Sequence, residues 1–533
     1  MRNRPSVLGR GIDRWARGYR RTARIVFEDR RRGAPCERAG GQGYQHDLSI
    51  AHGVMALVVA FSACAGQAWP AQALSPVASP PAPRPVANGP PVPLTLIDAV
   101  ALGLRENRTI RSAYLERVAQ RFDLVVARSA FQPRVNIIAG VSRDRAGDLT
   151  TRSTTVVPTG TWLLPTGAVV EFSWARSATR AGSARGTAES SAVSVAQPLL
   201  RGAGLAVNQA PIRIASLQEQ INQLTLKSTV ADTVTQIVLA YRTLLQAQES
   251  VRLAKSGLAR SQTLLETNQA LIDAGRMAAA DILQTRADVA TQRLAVLQAQ
   301  QQQASAQLSL LRLVSLDLRT DIVAADQVAP ERLGVDLEQV IGLALDTRMD
   351  VLAQRKAVEQ DRESLRVARN NRLWDLSIVA GARRDKTIGA AGILPETSST
   401  VGLQLNIPIG DYTLKQGEVR ATTTLRVDEV RLEDLRQSVE AQVRDAAQGL
   451  DAAWLQLEAA REARDLAAQA MAFAGEKLRA GRASNFEVLS FEASLRAAEV
   501  QELAAGINYL NALTVLDQQV GGTLATWRID LND

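Results

Sequence analysis

Beyond Ala73 this 533-residue chain has neither cysteine nor histidine; Cys36, Cys64, His46 and His52 all lie upstream. That absence removes Cys/His metal sites, Ser-His-Asp triads and thiol nucleophiles from the body of the chain. It also leaves no disulfide framework. Aromatic residues are scarce, at 4%, and no G-x-x-x-x-G-K-[ST] loop is present to cradle nucleotide phosphates. Carboxylate or lysine chemistry has no motif behind it. We expect no catalytic residue, no cofactor and no metal.

A basic body is missing too. Residues 1–73 hold 12 of the 62 Lys and Arg but 5 of the 54 Asp and Glu, so +7 of the formal charge of +8 lies there. Without a basic remainder, nucleic acid is not an expected partner. The first 73 residues read as a leader. Their apolar run, Gly53–Ala63, is too short to span a bilayer as a helix and precedes Ala71-Gln72-Ala73, an A-x-A pattern that favours signal-peptide cleavage after Ala73. The long arginine-rich stretch upstream points to a translation start near Met55. Lipoprotein processing at Cys64 is the second option. Residues 74–93 are rich in Pro, Ala and Val and read as a linker.

What is present is written twice. Leu94–Asp144 aligns without gaps on Val335–Asp385 at an offset of 241, with Val126-Ala127-Arg128 over Val367-Ala368-Arg369. Pro198 aligns with Pro408, and Gly275 with Gly481. The expected organisation is a first repeat over 94–320, a linker over 321–334, a second repeat over 335–522 and a tail over 523–533. Each repeat runs helix, extended segment, long helix, tight turn, helix. The first helices are expected over 94–132 and 335–373, and the long ones over 206–272 and 412–478.

The extended segments alternate. Val135, Ile137, Ala139 and Val141 face one way, as do Val401, Leu403, Leu405 and Ile407, with small or polar residues opposite except for Ile138. Such alternation suits a membrane barrel with a wet lumen, although a half-buried soluble strand shows it too. The first repeat has extra material, Thr154–Ser177, with a turn at Pro165-Thr166-Gly167. Its Trp162, Phe172 and Trp174 suit either a membrane interface or ordinary strand packing. Two junctions, VSVAQPLLRGAG (Val193–Gly204) and GLQLNIPIGD (Gly402–Asp411), lead from strand to long helix. There Pro198 and Pro408 are expected to end the strand ladder, and Gly202, Gly204 and Gly410 to let the chain turn. The long tracts carry coiled-coil-like seams. In the second repeat the seam runs through Leu450, Ala453, Leu457, Ala460, Ala463, Ala467, Met471, Ala474 and Leu478, stepping to Ala463 in preference to Arg464. Past the tip, Glu502 is the one polar break.

In order and in duplicate, these features resemble the TolC-type outer-membrane efflux protein family over essentially all of 94–522. The residues that carry the likeness are AVALGLRENRTI, the two junctions, and the tips DAGRMAAADIL (Asp273–Leu283) and RAGRASNFEVL (Arg479–Leu489). The resemblance implies a mainly α protein with a membrane β-barrel portion. It implies a homotrimer in which each protomer gives four strands to a shared barrel and its helices to an α-barrel tunnel. Outer-membrane lipid, a periplasmic adaptor docked on the tips and an inner-membrane transporter are the implied partners, in efflux or type I secretion. The family's acidic tip position falls on Asp281 and Glu487. A second acidic position is Ser490 here, and a basic one is Ala483. A tunnel constriction is therefore expected at Glu487, Asp281 and Ser490, with adaptor contacts at Gly275, Arg276, Met277, Gly481, Arg482 and Ala483. Placement at a helix N-terminus accounts equally for the two acids. From another class, an exported coiled-coil scaffold or adhesin rod would need the seams but not the strands.

Overall fold

The computed structural model describes residues 91–389, 392–480 and 482–531. The leader with its cleavage and lipidation sites, nearly all of the linker, and Gly481 lie outside them.

A short strand β1 (Val92–Leu94) opens the fold and pairs in parallel with β6 (Ile322–Ala324) from the segment between the repeats. Helix α1 (Leu96–Glu106) begins at a capping box in which the Thr95 hydroxyl accepts from the Asp98 amide at 3.2 Å. Helix α2 (Arg108–Arg128) follows after a break of one residue. The single helix expected over 94–132 is thus two, hinged at Asn107. That residue is extended, and its side-chain oxygen caps α2 by accepting from the Thr109 amide at 2.8 Å. The second repeat breaks in the same place: α6 (Leu337–Thr347) and α7 (Met349–Asn371) meet at Arg348, with φ −62° and ψ 128° against −60° and 129° at Asn107. Asn107 and Arg348 stand one repeat offset apart, so the hinge was duplicated with the sequence.

Strands β2 (Arg134–Ala146), β3 (Leu149–Leu163), β4 (Val169–Ala181) and β5 (Ala184–Pro198) come from the first repeat; β7 (Asp375–Gly389) and β8 (Gly392–Asn406) come from the second. All six form one antiparallel sheet in the order β2-β3-β4-β5-β7-β8. Among the described residues the sheet thus has six strands, where the resemblance implies four from one protomer. The extra segment of the first repeat is a full hairpin, β3–β4, paired on both sides. Its turn lies at Pro165-Thr166-Gly167, as the sequence indicates.

A four-residue helix, α3 (Leu205–Asn208), leads into α4 (Ala210–Asp273), which with α5 (Ile282–Leu313) makes the first helical hairpin. Helices α8 (Thr413–Arg479) and α9 (Asn485–Val520) make the second. The 64 residues of α4 and 67 of α8 are each about 100 Å long at about 1.5 Å per residue. Near the sheet α4 packs against α2 and α7; further on it packs against α5 and α9. Pairs of shorter helices thus match each long one. The main core sits midway, around Ile237, Tyr241, Leu244, Leu310 and Ile322. A final short helix, α10 (Thr523–Thr526), brings Leu524, Trp527, Ile529 and Leu531 onto that core. Among the described residues no helix is long and apolar enough to cross a membrane.

Candidate functional site

Three features stand out: the sheet, the junctions that join it to the long helices, and the distant tips. In the sheet, residues paired across strands share a face, and one row runs Val135–Gly160–Phe172–Val193–Ala382–Ser399. The face bearing that row holds Ile137, Val141, Val195, Ile378, Val401 and Leu403, all exposed in the protomer. Trp162, Phe172 and Trp174 lie on it as well. The opposite face is short and hydroxyl-rich, with Ser153, Thr155, Thr159, Ser173, Ser194 and Ser377. An apolar side and a small polar side suit lipid and water respectively.

The first junction is tightly knit. Pro198 is the last residue of β5, yet the ladder continues beyond it, because the Leu199 amide donates to the Leu376 carbonyl at 2.7 Å and Arg201 to Trp374 at 3.2 Å. The expectation that Pro198 ends the ladder is corrected in this respect. Odd-numbered residues here donate towards β7. Pro198 faces the β4 side, where β4 begins only at Val169, so its missing N–H falls where no strand partner waits. Gly202 and Gly204 have φ of +78° and +95°, which L-residues rarely adopt. The β3–β4 turn is docked here: the Gly204 amide donates to the Thr166 carbonyl at 3.0 Å. A Cβ on Gly167 would collide with the Gly202 carbonyl. Arg201 pairs with Asp375 at 2.6 Å, and the Gly202 amide donates to Asn370 Oδ1 at 2.7 Å. At the second junction β8 stops at Asn406, before Pro408, and Gly410 turns the chain at φ +79°. Asp411 then accepts from the Thr413 amide at 2.8 Å to start α8.

At the first tip α4 ends in a Schellman closure. Gly275 takes φ +70°, and the Arg276 amide donates to the Leu271 carbonyl at 2.8 Å. Arg482 closes on Lys477 in the same way, also at 2.8 Å. Asp281 and Ser490 are exposed and Glu487 is half-buried. Ser484 caps α9 by accepting from the Glu487 amide at 3.1 Å, so Glu487 sits in the first turn. Met277 and Ala483 are partly buried against Leu264, Leu478 and Val488, while Gly275, Arg276 and Arg482 are exposed.

Sequence reading missed the polar groups that bind the two hairpins together. Behind the tips, fully buried Asn268 donates to Thr285 Oγ1 and to Asn485 Oδ1, both at 2.7 Å, and so joins α4, α5 and α9. Further along, Arg260 reaches buried Glu492 at 2.7 Å and Glu499 at 2.9 Å, and Arg496 reaches Asp288 at 3.1 Å. The seam of the second repeat also needs correcting. Ala463 is exposed, and the half-exposed Arg464 reaches across to Glu502, with its Nε 2.9 Å from that carboxylate. Two irregularities in the sequence, an arginine where a strict 3-4 count would fall and a lone glutamate past the tip, are partners. Read together at the strict 3-4 step, they would have revealed the pair.

The family model for outer membrane efflux proteins matches residues 100–315 and 340–522, the two repeats in turn. This chain belongs to that family. It is an outer-membrane protein of the efflux channel class. The outer membrane efflux protein BepC of Brucella suis is 25% identical over 282 residues, which span 52% of this chain and 60% of BepC, less than two thirds of its length. In fold it is similar to the Campylobacter jejuni CmeC outer membrane channel, with a TM-score of 0.62 and 15% identity over 80% of this chain and 86% of that one. VceC of Vibrio cholerae gives 0.61 and 13% over 80% and 96%. At these identities the structural likeness speaks for the fold.

Proposed function

We propose that this efflux protein is the passive exit duct of a tripartite efflux or type I secretion system. Three copies assemble, their sheets closing into one barrel in the outer membrane and their helices into a tunnel below it. An adaptor engages the hairpin tips, and an inner-membrane transporter supplies the energy. The observation that carries the reading is the join itself. A sheet with one exposed apolar face passes twice, through positive-φ glycine turns, into antiparallel helix pairs about 100 Å long. A rod has no use for that sheet. Three Glu487 side chains, each in the first turn of α9, would ring the tunnel end with negative charge. Asp281 and Ser490, both exposed, would complete that constriction.

The test is conductance of the purified protein in planar bilayers. Detergent-resistant trimers and cation-selective channels are expected, with weaker selectivity in Glu487→Gln. A soluble monomer with no conductance would sink the duct; unchanged selectivity in Glu487→Gln would remove only the acidic ring. Neighbouring genes separate the two systems. An adaptor beside a proton-driven pump assigns efflux, and one beside an ATP-binding exporter assigns secretion.

A further inference from the structure

The hairpin β3–β4 adds two strands to the sheet, and their side chains tell where those strands sit. On β2 the apolar run Val135–Val141 is centred on Ile138, three residues to the hairpin-loop side of the Val135–Ser399 row. On β8 the run Val401–Leu405 is centred on Leu403, four residues to the helix side of it. In between, the run slides the same way at every step: Val156–Trp162 on β3, Val170–Trp174 on β4, Val193–Val195 on β5, Leu376–Ala382 on β7. The whole drift is seven residues, about 23 Å at about 3.3 Å each, across five inter-strand steps of about 4.8 Å. The band therefore crosses the strands at an inclination of about 45°, the tilt that strands need to close a membrane barrel. Strands β3 and β4 lie on that line with the rest. A flap folded away from the wall would have no reason to keep the drift or to pair along its length on both sides.

The sheet also has two long open edges. Strand β2 is exposed throughout, and so is β8; β2 has no proline, nor does β8 from Glu396 to Asn406. Such edges invite another strand. The occupant that continues both the band and its tilt is a second copy of this chain, β8 of one against β2 of the next.

We infer that all six strands stand in the barrel wall and that copies of this chain join edge to edge, so that three copies close an eighteen-stranded barrel. This rests on the trimeric duct proposed above. Its backbone diameter would be about 39 Å, against about 26 Å for twelve strands at the same tilt and spacing. Little fills the added width. The lumen face is mostly Ser, Thr, Ala and Gly, and two of the loop-side connections are two-residue turns, Gly147-Asp148 and Gly182-Ser183. The wide end therefore serves bulky cargo, such as folded or polymeric material, better than a four-strand protomer would.

Two measurements on the full-length protein test this. Electron cryomicroscopy in lipid nanodiscs should show eighteen strands in cross-section, with β3 and β4 facing lipid. In planar bilayers, a polyethylene glycol about 22 Å across, added on the loop side, should enter and lower the conductance. A conducting trimer with twelve wall strands, or one that excludes this polymer, overturns the inference and leaves the duct intact. Absence of any closed barrel overturns both.

Discussion

Arg117 and Glu219 are almost completely buried between α2 and α4, with side-chain exposures of 4% and 11%. Removing one partner takes from the other its two-pronged counter-charge in a poor solvent, which costs about 3 kcal/mol. Arg117→Ala should therefore lower the unfolding temperature of the purified protein sharply, while Arg117→Leu combined with Glu219→Leu should recover much of the loss. Equal damage from single and double variants would show that packing, not charge, holds this place. Groups of this kind were illegible in the sequence. Arg117 and Glu219 are 102 residues apart and belong to no short motif. Asn268, Thr285 and Asn485 are as scattered, and only the fold brings them together. Gly275 and the paired glycines of the first junction were legible because a left-handed backbone leaves few other choices.

Among the elements, the long helices were the most readable, since a seam of apolar residues at steps of three and four is visible over dozens of positions. Their ends fall within four residues of those expected. The hairpin β3–β4 was only half visible. Thr, Ser and Ala are common on its polar face, so the contrast between its faces is weak, and Pro158 interrupts β3 in the middle. The hinges at Asn107 and Arg348 escaped because neither proline nor glycine marks them. Between α9 and α10, burial pushes the Asp517 carboxyl up to about 6, partly offset by the hydroxyl of Thr526, which donates to it at 2.9 Å. A raised carboxyl favours the folded state while it is protonated. Its cost therefore grows as pH rises from about 4 and is complete above about 6, on the order of 3 kcal/mol. Asp517→Asn should melt higher than the parent at pH 8 and near it at pH 4. An equal gain at both would mean that the charge is not the cause.

For the molecule as a whole, duplication explains most of what could be read and insertion most of what could not. Matched breaks at Asn107 and Arg348, matched junctions and matched tips all repeat. The two strands beyond the four implied for a protomer came from the first repeat alone. The C-terminal segment is the other asymmetry, since it packs on a core built mainly by the first repeat. A chain ending at Gly522 loses Leu524, Trp527, Ile529 and Leu531 from that core, on the order of 3 kcal/mol of apolar burial. The trimer proposed above should then dissociate at lower temperature on gel electrophoresis; unchanged heat resistance would show the segment to be dispensable.

That packing sets an order of events during biogenesis. The Tyr241 hydroxyl donates to Asp326 at 2.7 Å and lies 3.0 Å from the Leu94 carbonyl, beside the β1–β6 pair and near the core that receives Trp527 and Ile529. Segments from both extremes of the fold and from its middle thus meet at one point. A chain threaded across a membrane from its N-terminus delivers the last of them only when synthesis and export are nearly done. Until then the centre stays incomplete.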